Sequence, residues 1–185
     1  MPLHPRFAAF DLSKFTALAA CRDSAVLVPL TLRYAEFNND LKQVRRAVKI
    51  FEELIGGELP ENPPASEDEF FQSVVAFLVE DGQRLVYSES LFWEYFYSDV
   101  SKRGGKYQGA PEELLRYLMA GRPFFGQTVH SAWSYCAYFT NAEARRLFAF
   151  IRSREVFRQE FDFDRADTWM RSVEQTGADV WFSAS

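Results

Sequence analysis

The sequence predicts an α+β fold, with a small mixed or antiparallel sheet of about three or more strands covered by several helices. Short segments with the apolar or alternating pattern of strands occur at 6–12, 133–139 and 179–183. Longer segments between them repeat apolar residues every three or four positions, which is typical of helices that pack on one face. Because the strands are few and helices separate them, we expect the helices to cover the sheet.

Length and composition favour a single globular α+β domain over residues 1–185. Two domains would each approach the lower size limit for burying a core of their own. The apolar fraction of 48% and the charged fraction of 25% are ordinary for a globular protein and exclude a wholly disordered chain. The unusual feature is the content of 19 Phe, 8 Tyr and 4 Trp residues, most of which must lie in the core.

The N-terminal third predicts helices after the first strand. Ser13 is a suitable cap for the first of them. The segment 24–37 is ambiguous because its branched residues suit a strand and Pro29 lacks a backbone donor, but we favour a helix that starts at Ser24. From Asn39 onward, apolar residues recur along one helical face until a Gly-Gly pair ends the helix.

The middle of the chain predicts two or three further helices. Ser66 and Glu69 form a capping box for one helix after a Pro-rich loop. In the aromatic run at 91–97, Leu91, Phe92, Tyr95 and Phe96 would share a face if helical, with Trp93 and Tyr97 on the flanks, which predicts burial on more than one side. A glycine-rich loop follows at 104–109. Pro111 occupies the favoured first position of the next helix.

The C-terminal third predicts two helices between the last two strands. Thr140 and Glu143 form a second capping box. Asp164 is predicted to cap the final helix, which ends at Gly177 before the closing strand.

Charge excludes some classes of partner and favours another. The net charge is −5 and the basic residues are scattered, so we expect no nucleic acid partner, which needs a basic face. No apolar stretch approaches the roughly 20 residues that span a bilayer, so we expect no membrane partner. The opening MPLHPRF lacks the features of a secretory signal, which predicts a cytoplasmic protein. An acidic surface suits a basic partner protein.

The segment HSAWSYCAYF, 130–139, holds a histidine and a cysteine and raises the question of a nucleophile with its base. The alternation in WSYCAYF predicts a strand, on which His130 and Cys136 would lie about 20 Å apart. We therefore predict that Cys136 is a buried core residue and that no catalytic residue lies here. Cys21 is likewise interpreted as a small buried residue in a reducing compartment.

Neither a metal nor a cofactor is predicted. Glu160, Asp162 and Asp164 alternate, so on a strand their oxygens could hold a hard cation. We favour a solvated connector that ends in a helix cap. The loop GGKYQG at 104–109 has flexible glycines beside a lysine but lacks the order of a phosphate-binding loop, so it is interpreted as a mobile loop.

The aromatic run leaves three alternatives: core, a surface for a partner protein, or a small-molecule pocket. As a surface it would draw on its rings and nearby acids, and as a pocket it would use carboxylates as the polar groups. The candidate partner- or ligand-binding residues are Trp93, Tyr97, Tyr107, Glu94, Asp162 and Asp164.

The C-terminal third resembles a known family. The pattern SYCAYFTNAEARRLFAFI, followed by FDFDRADTWMRSVEQTGADVWFS, is similar to the YfbM-like family of small uncharacterised bacterial proteins in its order of elements. The resemblance covers residues 110–183. It implies an α+β fold, no established enzymatic activity and a role in binding another protein, and it transfers no site residue.

We therefore predict a non-catalytic cytoplasmic domain that binds another protein, as a toxin-neutralising, immunity-like protein or as a regulator. The alternative is a small-molecule-binding protein or small hydrolase with an aromatic-lined pocket and carboxylates. Self-association into a homo-oligomer through the same surface is a third possibility.

Overall fold

The computed structural model describes most of the chain, and contacts between Cα atoms divide it into two compact units. The first unit holds residues up to 11, 84–124 and 128 onward, and the second holds 12–83 and 125–127. The prediction of one domain stays a prediction, because compact units of a chain need not fold separately. The described residues are 4–18, 21–56, 70, 74, 77–79, 85–124, 127–128 and 135–184.

Helices dominate the described residues. The helices are α1 (Leu12–Leu18), α2 (Leu27–Phe37), α3 (Leu41–Gly56), α4 (Phe92–Lys102), α5 (Glu112–Ala120), α6 (Asn141–Ser153), α7 (Glu155–Arg158) and α8 (Phe163–Thr176). A 3₁₀ turn at Ser24–Val26 leads into α2. The strands are β1 (Pro5–Phe10), β2 (Val86–Tyr87), β3 (Pro123–Phe124), β4 (Gln127–Thr128), β5 (Tyr135–Phe139) and β6 (Asp179–Ala184). None of the described helices is both long and apolar enough to cross a membrane.

The first unit contains a four-stranded antiparallel sheet in the order β2-β1-β6-β5. Phe182 in β6 lies opposite Phe7 of β1 on one side and Ala137 of β5 on the other. Helices α4, α5 and α6 contact the strands β1, β5 and β6, respectively. The predicted α+β fold with an antiparallel sheet is therefore confirmed. The sequence did not predict β2, because two residues are too few to show alternation.

Aromatic side chains form the core between the sheet and α4. The Phe7 ring stacks on Trp93 with ring centroids 4.1 Å apart and lies 4.9 Å from the ring of Phe182. Further along α4, the Phe96 ring lies edge-on to Phe157 at 5.2 Å. Each ring brings a large buried area, so the aromatic content stabilises this unit chiefly through burial. The largest fully buried side chains of the described residues are Trp93, Trp181, Tyr34, Phe7, Phe51, Phe92, Phe96, Phe139, Phe148, Phe157 and Phe182.

The second unit contains a helical hairpin of α2 and α3, which pack on each other. The Tyr34 ring lies edge-on to Phe51 at 5.6 Å and to Phe77 at 5.0 Å. The helical interpretation of 24–37 is confirmed. Pro29 lies in the first turn of α2, where its missing N–H removes no intrahelical bond.

The structure corrects some predicted boundaries and confirms others. Helix α1 begins at Leu12, so Ser13 lies inside it. The capping box of Thr140 and Glu143 is present at the start of α6. The capping box predicted at Ser66 and Glu69 lies outside the described residues.

Candidate functional site

Two of the predicted binding residues, Trp93 and Tyr97, are buried in the core of the first unit. Trp93 is 1% exposed, and its Nε1 donates to Ser88 Oγ at 2.7 Å. Tyr97 is buried with its ring 5.9 Å from that of Phe182. The core interpretation is thus correct for these rings, and neither presents a surface to a partner. The reason is the helical period, which places both on the face of α4 that packs inward.

Tyr107 is half-buried, and its hydroxyl is already engaged. The hydroxyl donates to Asp99 Oδ2 at 2.7 Å, and the ring lies 5.4 Å from that of Phe150. Burial, followed by the hydrogen bond to Asp99, raises the pKa of Tyr107 above its ordinary value. Tyr107 therefore fastens the loop 104–109 to α4, and most of its ring is unavailable to a ligand.

Cys136 lies in β5 and is buried. Burial raises the pKa of its thiol to about 12. Since the thiolate is the nucleophilic form, this cysteine is unreactive at neutral pH. The predicted strand is confirmed over 135–139, whereas His130 lies outside the described residues.

Asp162 joins the chain just before α4 to the turn just before α8. Its Oδ2 accepts from the Leu91 backbone N–H at 2.9 Å, and its carbonyl accepts from Ser90 Oγ at 3.0 Å. The same Ser90 Oγ accepts from the Phe92 N–H at 3.2 Å, at the first residue of α4. Asp162 has a left-handed backbone with φ 66°, which a short polar residue tolerates. These bonds hold the starts of the two helices together.

The prediction that Asp164 caps the last helix is wrong. Helix α8 begins at Phe163, so Asp162 occupies the cap position and the exposed Asp164 lies in the first turn. The Asp162 side chain makes no capping bond to α8, because its carboxylate is engaged with Leu91 instead. The alternating acids therefore do not lie on a strand.

Two large apolar side chains are exposed at this junction. Leu91 is 60% exposed and Phe161 is 77% exposed. Leu91 was expected to share the buried face of α4, but it precedes the helix and points elsewhere. Because the Leu91 N–H donates to Asp162, the neighbour of Phe161, both residues belong to one hydrogen-bonded junction.

Exposed carboxylates lie within three residues of Leu91 and Phe161 in sequence. Glu94, in the first turn of α4, is exposed and lies 3.4 Å from His4 Nδ1. Glu89 is exposed, and its Oε2 accepts from Arg165 Nη2 at 3.1 Å. We term the set Glu89, Leu91, Glu94, Phe161 and Asp164 the acidic apolar surface.

A pocket of about 320 Å³ opens beside this surface, between β2 and α8. The Trp169 Nε1 at its wall donates to the Val86 carbonyl at 3.0 Å, so this polar group is already engaged. The carboxylates predicted for a ligand pocket, Glu94, Asp162 and Asp164, do not line it. The lining residues are Tyr87, Ser88, Glu89, Arg165, Thr168, Trp169 and Ser172.

The sequence interpretation missed Leu91 and Phe161 as surface residues. A signal for Phe161 was present, because it falls outside the helical period of Phe163, Ala166 and Met170 that packs α8 inward. Leu91 had no such signal, since it fits the period of the aromatic helix and only the observed start of α4 excludes it.

This chain matches no family model, no curated protein and no solved structure. Among the described residues, no three His, Cys, Asp or Glu side chains are grouped so that they could hold a metal ion.

Proposed function

We propose that the chain is a non-catalytic protein-binding domain whose acidic apolar surface binds a basic partner protein. A toxin that the chain neutralises and a protein that it regulates both belong to this class of partner. The resemblance to the YfbM-like family, a bacterial origin and a cytoplasmic location are parts of the same proposal. The observation that carries it is the exposure of Leu91 and Phe161 at one hydrogen-bonded junction, with exposed carboxylates within three residues of each.

As exposed side chains, Leu91 and Phe161 gain little burial energy when the chain folds. Single exposed apolar residues are ordinary on protein surfaces, but here two large ones occur at one hydrogen-bonded junction. Complete burial of each by a partner would be favourable by roughly 1.5–3 kcal/mol. Buried apolar anchors surrounded by polar residues are typical of protein interfaces.

The charges around the anchors favour a basic partner. Glu94 and Asp164 are exposed, and Glu89 is paired only with the exposed Arg165. Exposed ion pairs of this kind contribute at most about 1 kcal/mol, so a partner's cation can replace Arg165 at little cost. Complementary charge accelerates association and lowers the affinity for other acidic proteins.

The junction is also held in place before any partner binds. Asp162 accepts from Leu91, and Ser90 donates to Asp162 while it accepts from Phe92. A surface that is already ordered loses less conformational entropy when it binds. Asp162 is therefore a positioning residue, whereas Phe161 is the predicted direct contact.

The test replaces Phe161 with a photo-crosslinking amino acid in the full chain, expressed in its native cell. The matched control carries the same amino acid at exposed Gln175, about 18 Å further along α8. We expect a crosslinked protein from position 161 and not from position 175. The identified protein is then purified, and we expect Phe161→Ala to weaken its binding about tenfold or more.

Salt and charge provide the second arm of this test. Raising the ionic strength should slow association with the purified partner, and Glu94→Lys with Asp164→Lys should slow it further. Equal crosslinking from both positions, or equal binding by Phe161→Ala, contradicts the proposal. Crosslinks between two copies, with a dimer in sedimentation, would assign the surface to self-association instead.

A further inference from the structure

The hairpin of the second unit exposes large apolar side chains at the turn between its helices. Phe37, the last residue of α2, is 66% exposed, and Leu41, the first residue of α3, is 72% exposed. Val28 and Leu32, one turn apart on α2, are also exposed. Helix α2 therefore has apolar residues both on its buried face and on its outer face.

The turn that carries Phe37 and Leu41 is hydrogen-bonded. The Asp40 N–H donates to Asn38 Oδ1 at 3.0 Å, and Asp40 Oδ1 accepts from the Lys42 N–H at 2.8 Å. The first bond closes the turn, and the second caps α3. The exposed side chains at the turn are therefore presented by an ordered backbone.

Directly after the turn, the exposed face of α3 carries basic side chains. Lys42, Arg45 and Lys49 are exposed. Arg45 and Lys49 follow Lys42 by three and seven residues, which places all three on one side of the helix. The buried residues of α3, such as Val44 and Phe51, lie on the other side. Leu41 and Arg45 are neighbours one turn apart. We term Phe37, Leu41, Lys42 and Arg45 the basic hairpin tip.

The placement of these cations opposes the stability of α3. A helix is stabilised by acids in its first turn and by bases in its last turn, because of its macrodipole. Helix α3 has no acid in its first turn, although the Asp40 carboxylate caps it, and no base in its last turn, where Glu53 lies instead. A local arrangement that works against the fold is typical of a functional surface.

We infer that the basic hairpin tip binds the anionic lipid headgroups of a membrane surface. Phe37 and Leu41 enter the boundary between headgroups and acyl chains, while Lys42 and Arg45 contact the headgroups. Peripheral binding of this kind needs no spanning helix. The inference concerns the second unit and is independent of the proposed basic partner of the first unit.

A lipid surface agrees better with these observations than an acidic protein does. The described pocket of the second unit is lined by residues such as Arg22, Leu27 and Ile55, and none of the exposed apolar side chains of the hairpin lines it. An interdigitating protein interface needs a matching shape, whereas lipids conform to exposed side chains such as Phe37, whose ring also lies near those of Tyr34 and Phe77. Glu36 and Asp40 are the acids nearest the tip in sequence, and the Asp40 carboxylate already caps α3.

The test is co-sedimentation of the full chain with phosphatidylcholine vesicles that contain about 30% phosphatidylserine. Pure phosphatidylcholine vesicles are the lipid control. We expect binding to the anionic vesicles that weakens with salt, and little binding to the neutral ones. Lys42→Gln with Arg45→Gln should lower the partition coefficient by roughly tenfold or more. Phe37→Ser with Leu41→Ser should lower it by a similar factor.

The matched control is Arg116→Gln with Arg146→Gln, which removes two exposed cations from the first unit. We expect this variant to bind like the wild type, and thermal unfolding confirms that each variant folds. Equal loss in both charge variants would show that Lys42 and Arg45 contribute no more than other exposed cations and would overturn the inference. Wild-type protein that does not bind anionic vesicles would also overturn the inference. If such protein binds immobilised polyglutamate through Lys42 and Arg45, the surface would instead be assigned to an acidic protein.

Discussion

The two units differ in how their surface charges relate to their helices. In the first unit, Glu94 and Asp164 lie in the first turns of α4 and α8, where the helix dipole favours acids. In the second unit, Lys42 lies in the first turn of α3, next to the capping Asp40, where the dipole disfavours bases, and Arg45 follows in the second turn. Charge is thus strong evidence of function only at α3, while in the first unit the exposed Leu91 and Phe161 carry the argument.

The first prediction compares the two thiols, one in each unit. Cys21 is exposed in the second unit, so its interpretation as a buried residue is wrong, whereas Cys136 is buried in the sheet of the first. We expect a soluble alkylating reagent at neutral pH to modify Cys21 and to spare Cys136 by a factor of about 10³ or more, since Cys136 reacts only after unfolding. Mass spectrometry of the native protein measures both sites, and denatured protein is the control. Rapid modification of native Cys136 would contradict the packed sheet.

The second prediction separates core from surface within the aromatic run. Trp93→Ala removes a ring that stacks on Phe7 and bonds Ser88, so we expect a loss of about 3–5 kcal/mol in the free energy of unfolding. Leu91→Ala, two residues earlier, should change it by less than about 0.5 kcal/mol. Denaturant titrations of both variants measure the difference. Similar losses in the two variants would show that Leu91 is part of the core.

The fold could be predicted because burial imposes a period on the sequence. The helical faces of α3 and α6, the capping box at Thr140 and the strand β6 all follow from local patterns. Strand β2 and the order of the strands could not be predicted, because pairing is set by contacts distant in sequence. The start of α8 differs for the same reason, since the bond from Leu91 to Asp162 spans 71 residues.

The candidate site was less predictable than the fold. An aromatic side chain in a sequence suits both a core and an interface, so the sequence left core, surface and pocket open for Trp93 and Tyr97, which the structure places in the core. Phe161 is distinguished only by falling outside the helical period of α8, and Leu91 only by its position before the start of α4. Asp162 is identified by a hydrogen bond that no local pattern encodes.

The third prediction concerns acid sensitivity of the first unit. Burial acts to raise the pKa of Glu143, but hydrogen bonds from Arg122 and Thr140 outweigh it, so the pKa is lowered. A lowered pKa in the folded state contributes stability above the ordinary pKa of Glu, and this contribution is lost as the pH falls through the folded value.

Glu143→Gln keeps the shape of the capping box and removes the charge that Arg122 Nη1 contacts at 2.7 Å. We expect it to cost about 1–2 kcal/mol near neutral pH and progressively less as the pH falls below about 4. Urea titrations across this pH range measure the effect. Glu112→Gln, an exposed acid on α5, is the control. A cost that is constant with pH would show that the charge plays no part.

The last prediction reverses charges at the helix starts of the two units. Lys42→Glu places an acid in the first turn of α3, and we expect it to stabilise the chain by about 0.3–1 kcal/mol. Asp164→Lys places a base in the first turn of α8 and should destabilise by a similar amount. Thermal unfolding at low salt measures the change in stability of both variants, and high salt should reduce both changes.

If Lys42→Glu destabilises instead, then Lys42 contributes to folding and the case for a function at the basic hairpin tip is lost. A more stable Lys42→Glu variant that no longer binds anionic vesicles would show that α3 carries its cations at the expense of its own stability.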